Sequence, residues 1–187
     1  MSSSLQHWRM FCRPISTGIG EVAVRPIMPD DADRARLFIE GLSSTSRYFR
    51  FLQALRSLPP AMLERFVRAD QVTQMVLVGV VSVNGHENIV GEVRYAMNPD
   101  GESADFAIAV VDAWHRRGVG TSLFLMLGRL AVAAGITRFT GESFAVNSTF
   151  CNFAQAVGFR TWPDQSDLTC VRVEKRLGDG EVWLEPA

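Results

Sequence analysis

Apolar and polar positions alternate or recur along the chain in a pattern that predicts a mixed fold. Val22, Val24 and Ile27, with Arg25 and Pro26 between them, predict a short strand ended by proline. Pro29-Asp30-Asp31 opens a helix whose apolar positions are Ala35, Leu37, Phe38 and Leu42, with Gly41 near its end. Ser43 to Leu55 predicts a second helix, capped by Ser43 or Ser44, and Pro60 suits the first turn of a third, running to Arg68. From Met75 the pattern changes to a β-branched run that ends at Val83. Asn84-Gly85 follows as a turn signal, but with the returning strand placed from Ile89 to Met97 the connection is too long for a two-residue hairpin. Asn98-Pro99-Asp100-Gly101 is a further turn, and Ser103 to Val111 the next strand. On that strand Phe106, Ile108 and Val110 share one face, and Asp105, Ala107 and Ala109 the other.

The second half reads helix, strand, helix, strand. Leu123, Leu127, Leu130 and Ala131 recur at helical spacing between Gly118 and Ala134, with Gly135 as the terminating residue. Arg138 to Phe144 is a strand, Asn147 to Val157 a helix closed by Gly158, and Leu168 to Leu177 the last strand. The expected fold class is therefore α/β (α+β), with three consecutive antiparallel strands in a central mixed sheet flanked by helices. Residues 1–20 show no period and are expected to form a tail of uncertain order. No repeat or long internal linker suggests a second domain.

Composition narrows the partners. A chain of 187 residues, nearly half of them apolar, fits one globular domain, and a formal net charge of −1 offers no global field for nucleic acid or an anionic membrane. There is no signal-peptide pattern and no apolar run long enough to span a bilayer. Cys12, Cys151 and Cys170 make neither a zinc pattern nor a disulfide framework, and His7, His86 and His115 lack metal-ligand spacing, so a cytoplasmic protein without a metal is expected.

The stretch Asp112-Ala-Trp-His-Arg-Arg-Gly-Val-Gly-Thr-Ser122 carries the most chemistry. A strand ends, two arginines and two spaced glycines follow, and a long apolar helix begins. Glycines let the backbone approach a ligand, and the helix start gathers unpaired N–H groups at the positive end of its dipole. That is a site for a phosphate or pyrophosphate, to which Arg116 and Arg117 add charge and Thr121 a hydroxyl. A tight turn that merely needs its glycines is the plainer alternative. A Walker loop is excluded because Gly120 is followed by Thr121-Ser122 rather than Lys, and a dinucleotide fingerprint lacks its third glycine and its early βαβ setting.

The run His115-Arg116-Arg117-Gly118-Val119-Gly120 resembles the acyl-CoA-binding motif of the GNAT superfamily of N-acetyltransferases, with His115 in place of the usual Gln or Arg. Asn147, Phe150, Phe153 and Gly158-Phe159 match a second feature of that family, and the resemblance covers Val22 to Leu177. Within the family, Val24-Arg25-Pro26-Ile27, Ser46-Arg47-Tyr48-Phe49-Arg50-Phe51, Ala104-Asp105-Phe106-Ala107, the Asp112-to-Gly120 segment and Gly141-Glu142 resemble the catalytic domain of bacterial protein-lysine acetyltransferases.

The resemblance implies an N-acetyltransferase domain over residues 21–178, with 179–187 as a C-terminal tail. It implies acetyl-CoA as co-substrate and a primary amine, a protein lysine before a small-molecule amine, as acceptor. A non-catalytic acyl-CoA sensor is the reading from another class. The cofactor-binding residues implied are Val110, Val111, Arg116, Arg117, Gly118, Val119, Gly120, Thr121 and Asn147, with Val110 or its neighbour offering the backbone N–H for the oxyanion. Asn147 serves equally well as a helix cap. A lysine-like amine is protonated at neutral pH, so a base is required. Asp105, one methylene shorter than the family's glutamate, is the first candidate, Glu142 the second and Glu92 the third. The family's tyrosine acid is replaced by Ala154, which leaves solvent to protonate the thiolate. The segment with Arg47, Tyr48, Arg50 and Phe51 would line the acceptor groove or simply pack its aromatics inward. Dimers are common among the relatives, and a homodimer is compatible with this chain.

Overall fold

The computed structural model describes residues 8–178. Its elements, in chain order, are α1 (Trp8–Phe11), β1 (Ile15–Thr17), β2 (Gly20–Pro26), α2 (Ala32–Gly41), α3 (Ser44–Phe51), α4 (Pro60–Val67), β3 (Gln74–Val83), β4 (His86–Met97) and β5 (Ser103–Val110). Then come α5 (Val119–Ala133), β6 (Arg138–Phe144), α6 (Ser148–Ala156), β7 (Arg160–Pro163) and β8 (Cys170–Arg176), with short 3-10 turns at Pro29–Asp31 and Asp112–Trp114. The strands form one mixed sheet in the order β1-β2-β3-β4-β5-β6-β8-β7. Every neighbouring pair is antiparallel except β5 and β6. The chain is thus a single domain, a mostly antiparallel mixed sheet flanked by helices.

Period-two alternation sends apolar side chains to both sides of the sheet, and each side buries them under helices. On one side α5 and α6 cover Leu77, Val93, Tyr95, Phe106, Phe139 and Val173. On the other, α2 and α4 cover Val76, Val78, Val80 and Ile89. The long helix α5 sits close to the sheet: a Cβ placed on Gly91 would stand 2.9 Å from Leu123 Cδ1, so glycine is what lets β4 and α5 approach. Helix α5 ends at Gly135, which takes φ of 85°, while Ile136 N–H reaches back to the Ala131 carbonyl.

Several boundaries differ from the sequence expectations for identifiable reasons. Val83 pairs directly with His86, so Asn84 (φ 52°) and Gly85 (φ 79°) do make a two-residue hairpin turn. The polar His86-Glu87-Asn88 run continues the ladder beyond the covered core, where apolar alternation gives no signal. Helix α3 stops at Phe51 because Leu52 turns left-handed, and Arg47 clamps the return by donating to the carbonyls of Ile39, Glu40, Leu42 and Leu55. Strand β7, exposed at all four residues, escaped the periodicity reading. Within the segment expected to be an N-terminal tail, β1 pairs with β2 and Trp8 and Phe11 pack against the core. Residues 1–7 and 179–187, the rest of that segment and the whole of the expected C-terminal tail, lie outside the described residues.

Candidate functional site

The parallel pairing of β5 with β6 runs only from Ser103 and Arg138 to Asp105 and Thr140. Beyond that rung the strands splay, while β5 stays paired with β4 up to Val110. A cleft of about 500 Å³ fills the gap, lined by Phe106 to Val110 on one strand and by Glu142 and Ser143 on the other. Helix α3 contributes Thr45, Ser46, Phe49 and Arg50, and α6 with its cap contributes Asn147, Phe150 and Phe153.

The edge of β5 facing this gap carries free backbone groups. Val111 N–H donates to the Val90 carbonyl, so residues 111 and 109 point their polar groups at β4, and the alternation turns those of Ile108 and Val110 toward the cleft. The Val110 carbonyl lies 2.8 Å from His115 Nε2, which leaves the Val110 N–H and both polar groups of Ile108 facing the opening. Val111 contributes no N–H to it, and its side chain packs on the opposite side of the sheet.

At the mouth of the cleft the chain turns sharply into α5. Arg116 has φ of 56° and Gly118, the residue before the helix, φ of 78°. The first helical bond runs from Ser122 N–H to the Gly118 carbonyl, so the N–H groups of Val119, Gly120 and Thr121 precede the ladder. Arg116, Gly118, Gly120 and Thr121 line the cleft. Arg117 instead folds back onto the Ala113 carbonyl at 3.0 Å, and the Val119 side chain is fully buried under the sheet. The geometry is a concave set of donors at the positive end of a 15-residue helix dipole, which suits a pyrophosphate. The turn is tied to α3 where Ser46 donates its hydroxyl to Asp112 at 2.7 Å. Burial pushes the Asp112 carboxyl up, but the Ser43 and Ser46 hydroxyls hold it below the usual carboxylate range.

The three acids considered as bases sit in different surroundings. Glu142 is exposed and lines the cleft. Asp105, also exposed, occupies the last paired rung beside the cleft and accepts the Thr140 hydroxyl. Glu92 is fully buried, paired with Arg94 and, at 3.2 Å, with Arg50. Burial pushes its carboxyl up, but the two guanidiniums outweigh that and hold it below its ordinary range, so it is an ionised structural anchor. Glu92 in turn fixes Arg50 in the cleft wall. Of the other α3 residues expected to line the groove, Arg47 is the carbonyl clamp, Phe51 packs into the core below α2, and Tyr48 stacks on Phe144 with ring centroids 4.8 Å apart. Asn147 caps α6, accepting from Phe150 N–H at 3.1 Å, and its amide donates to Ser143 Oγ at 3.1 Å.

Trp114 and His115, part of the glycine-bearing segment singled out in the sequence, line the cleft, and so does Ser143, which the sequence reading did not assign. Ser143 had a signal: it follows Phe139 and Gly141 at period two, a polar residue in an inward series. Among the described residues no group of three or more His, Cys, Asp or Glu is gathered to hold a metal ion, and no helix is long and apolar enough to cross a membrane.

Residues 43–159 match the model of the acetyltransferase (GNAT) family. An acetyltransferase of Pseudomonas aeruginosa is 29% identical over 150 residues, which span 80% of this chain and 81% of that protein. Among solved structures, the GNAT domain of S. lividans PAT superposes with a TM-score of 0.81 at 27% identity, covering 92% of this chain and 98% of that one. A cAMP-binding acyltransferase from Mycobacterium smegmatis gives a TM-score of 0.63 at 22% identity; 98% of this chain is covered but only 53% of that one, and the likeness bears on the fold alone.

Proposed function

Because this chain belongs to the GNAT acetyltransferase family and works as an acetyl-CoA-dependent acetyltransferase, we propose that its acceptor is the ε-amine of a protein lysine. The carrying observation is the splayed strand pair: a cleft bounded on one side of the sheet by the α5 turn and α6, and on the other by α3 and Glu142. Co-substrate and amine can therefore approach the same gap from opposite sides. The segment from Ser46 to Phe51, which gives Ser46, Phe49 and Arg50 to the cleft wall, resembles the matching segment of bacterial protein-lysine acetyltransferases and favours a lysine acceptor over a free amine.

The residues present fit acetyl-CoA. The N–H groups of Val119, Gly120 and Thr121, with Arg116 beside them, would hold the pyrophosphate, and the free backbone groups of Ile108 would pair with the amides of its arm. Arg117 and the Val119 side chain serve the turn and the packing beneath it. Acetyl-CoA supplies a thioester carbonyl. Val110 N–H would be the donor to the oxygen of that carbonyl, since Val111 N–H is already engaged. Asn147 orders the start of α6 at the cleft wall.

The incoming lysine, with an ordinary pKa of about 10.4, must lose a proton before it attacks. Glu142 lines the cleft on the side of α3 and is assigned as the direct acceptor. Asp105, held by Thr140 one rung below, is assigned to the path by which that proton leaves through water. Mass spectrometry of lysine peptides incubated with acetyl-CoA tests the acceptor, with free polyamines and amino acids as controls. Turnover on free amines with none on lysines refutes it. Glu142→Gln is expected to lower kcat about 100-fold with Asp105→Asn less severe; full activity in the doubly substituted protein refutes both assignments.

A further inference from the structure

Resting on the reading of this cleft as an acetyl-CoA site, we propose that Ser143 is a catalytic residue, the hydrogen-bond donor that stabilises the departing sulfur. The family's tyrosine position is filled by Ala154, which is fully buried and has no group to donate. Strand β6 offers a substitute on the correct side of the sheet. Its residues alternate: Thr140, Glu142 and Phe144 turn toward α3, where Phe144 stacks on Tyr48. Phe139, Gly141 and Ser143 turn toward α5 and α6. There Phe139 packs with Phe124, and a Cβ on Gly141 would meet Phe106 and Val173. The proton-accepting carboxylate and the Ser143 hydroxyl are thus neighbours in sequence on opposite faces, one toward the amine and one toward the co-substrate.

The Ser143 hydroxyl is also oriented. Asn147 accepts the Phe150 N–H through Oδ1 and donates through Nδ2 to Ser143 Oγ at 3.1 Å. That bond occupies the oxygen as an acceptor, and among the described residues nothing receives the hydroxyl proton. Ser143 is only 2% exposed yet lines the cleft together with Phe150 and Ile108, so its hydroxyl belongs to a largely water-excluded wall. Asn147 is the positioning residue of the pair.

In the step concerned, a carbon–nitrogen bond forms to the acceptor amine and the acetyl carbon–sulfur bond breaks. Its electron pair stays on sulfur. The ammonium proton has by then left through Glu142 and water. The second proton, lost as the carbon–nitrogen bond forms, passes to the freed Glu142 carboxylate. Ser143 keeps its own proton and shares it as a hydrogen bond, and water later protonates the sulfur. A donor favours the charged form of its partner.

The test uses CoA itself as the probe. Thiolate ultraviolet absorbance of bound CoA is titrated in the full-length wild type and in Ser143→Ala. The bound thiol is expected to ionise about one pH unit lower in the wild type, and kcat of the variant to fall about tenfold with KM for acetyl-CoA nearly unchanged. Ser143→Thr, which keeps the hydroxyl, is expected to restore both readouts. Its isostere Ser143→Val, which lacks it, is not, and this second pair decides the matter if the alanine variant melts early. An identical thiol pKa with and without the hydroxyl, or a loss confined to KM, overturns the assignment of Ser143. Failure of the wild type to bind CoA at all in calorimetry overturns the reading of the site on which it rests.

Discussion

Glu92→Gln removes the charge from a carboxylate that is fully buried between two guanidiniums while keeping its shape. Arg50 and Arg94 have side chains only 11% and 21% exposed, so the variant leaves two cations poorly solvated and facing a neutral amide. Taking one partner from a buried ion pair costs about 3–5 kcal/mol, and glutamine, which still accepts one hydrogen bond, belongs at the low end, about 3 kcal/mol. For a chain of this length that lowers Tm by roughly 10 °C. Urea denaturation followed by far-ultraviolet circular dichroism measures it directly.

The pH dependence supplies an internal check on the same substitution. Burial alone would raise the Glu92 carboxyl, but Arg50 and Arg94 depress it below its ordinary value. A depressed folded-state value means that the stabilisation is complete above the ordinary glutamate range of about 4.3 and drains away as pH falls through the lower folded value. The gap between wild type and Glu92→Gln should therefore be widest near neutrality and close toward strong acid. A loss below about 1 kcal/mol at pH 7, or a gap that widens in acid, would refute the picture of Glu92 as an ionised anchor. Because Arg50 lines the cleft, the variant should also raise the acceptor KM.

Two further substitutions probe the frame of the site. Gly118→Ala meets nothing within 4 Å of the new Cβ, but φ of 78° strains it by about 1 kcal/mol. It should weaken CoA binding in calorimetry, and unchanged affinity would show that this turn is not where the pyrophosphate rests. Asp31→Asn cuts a carboxylate that takes Arg25 at 2.6 and 2.8 Å, Arg34 at 3.0 Å and Met28 N–H at 2.8 Å, joining β2 to the start of α2. Burial raises that carboxyl, yet its donors hold it below the ordinary range, so its contribution too fades as pH drops through the folded value. A loss of about 3 kcal/mol at pH 7 is expected by urea titration, and a change under about 0.5 kcal/mol would contradict it.

The amino-acid sequence by itself determined what depends on neighbours along the chain. The faces of β5, the span of α5, its termination at Gly135, the Asn147 cap and the donor cradle at Gly118 to Thr121 follow from periodicity, positive φ and unpaired N–H groups, all local properties. Strand β7 and the His86 end of β4 were invisible because exposed, polar strands have no apolar alternation to reveal them. Tertiary structure alone decided the chemistry of the acids. Glu92, Asp105 and Glu142 are all strand carboxylates in the sequence, yet one is locked between two arginines, one is tied to Thr140 on the last rung and one lines the cleft. The separation is set by where the parallel pairing of β5 and β6 gives way after Asp105 and Thr140. That register joins residues 35 positions apart, and long-range pairing is settled by packing on both faces of the sheet, beyond the reach of any local pattern.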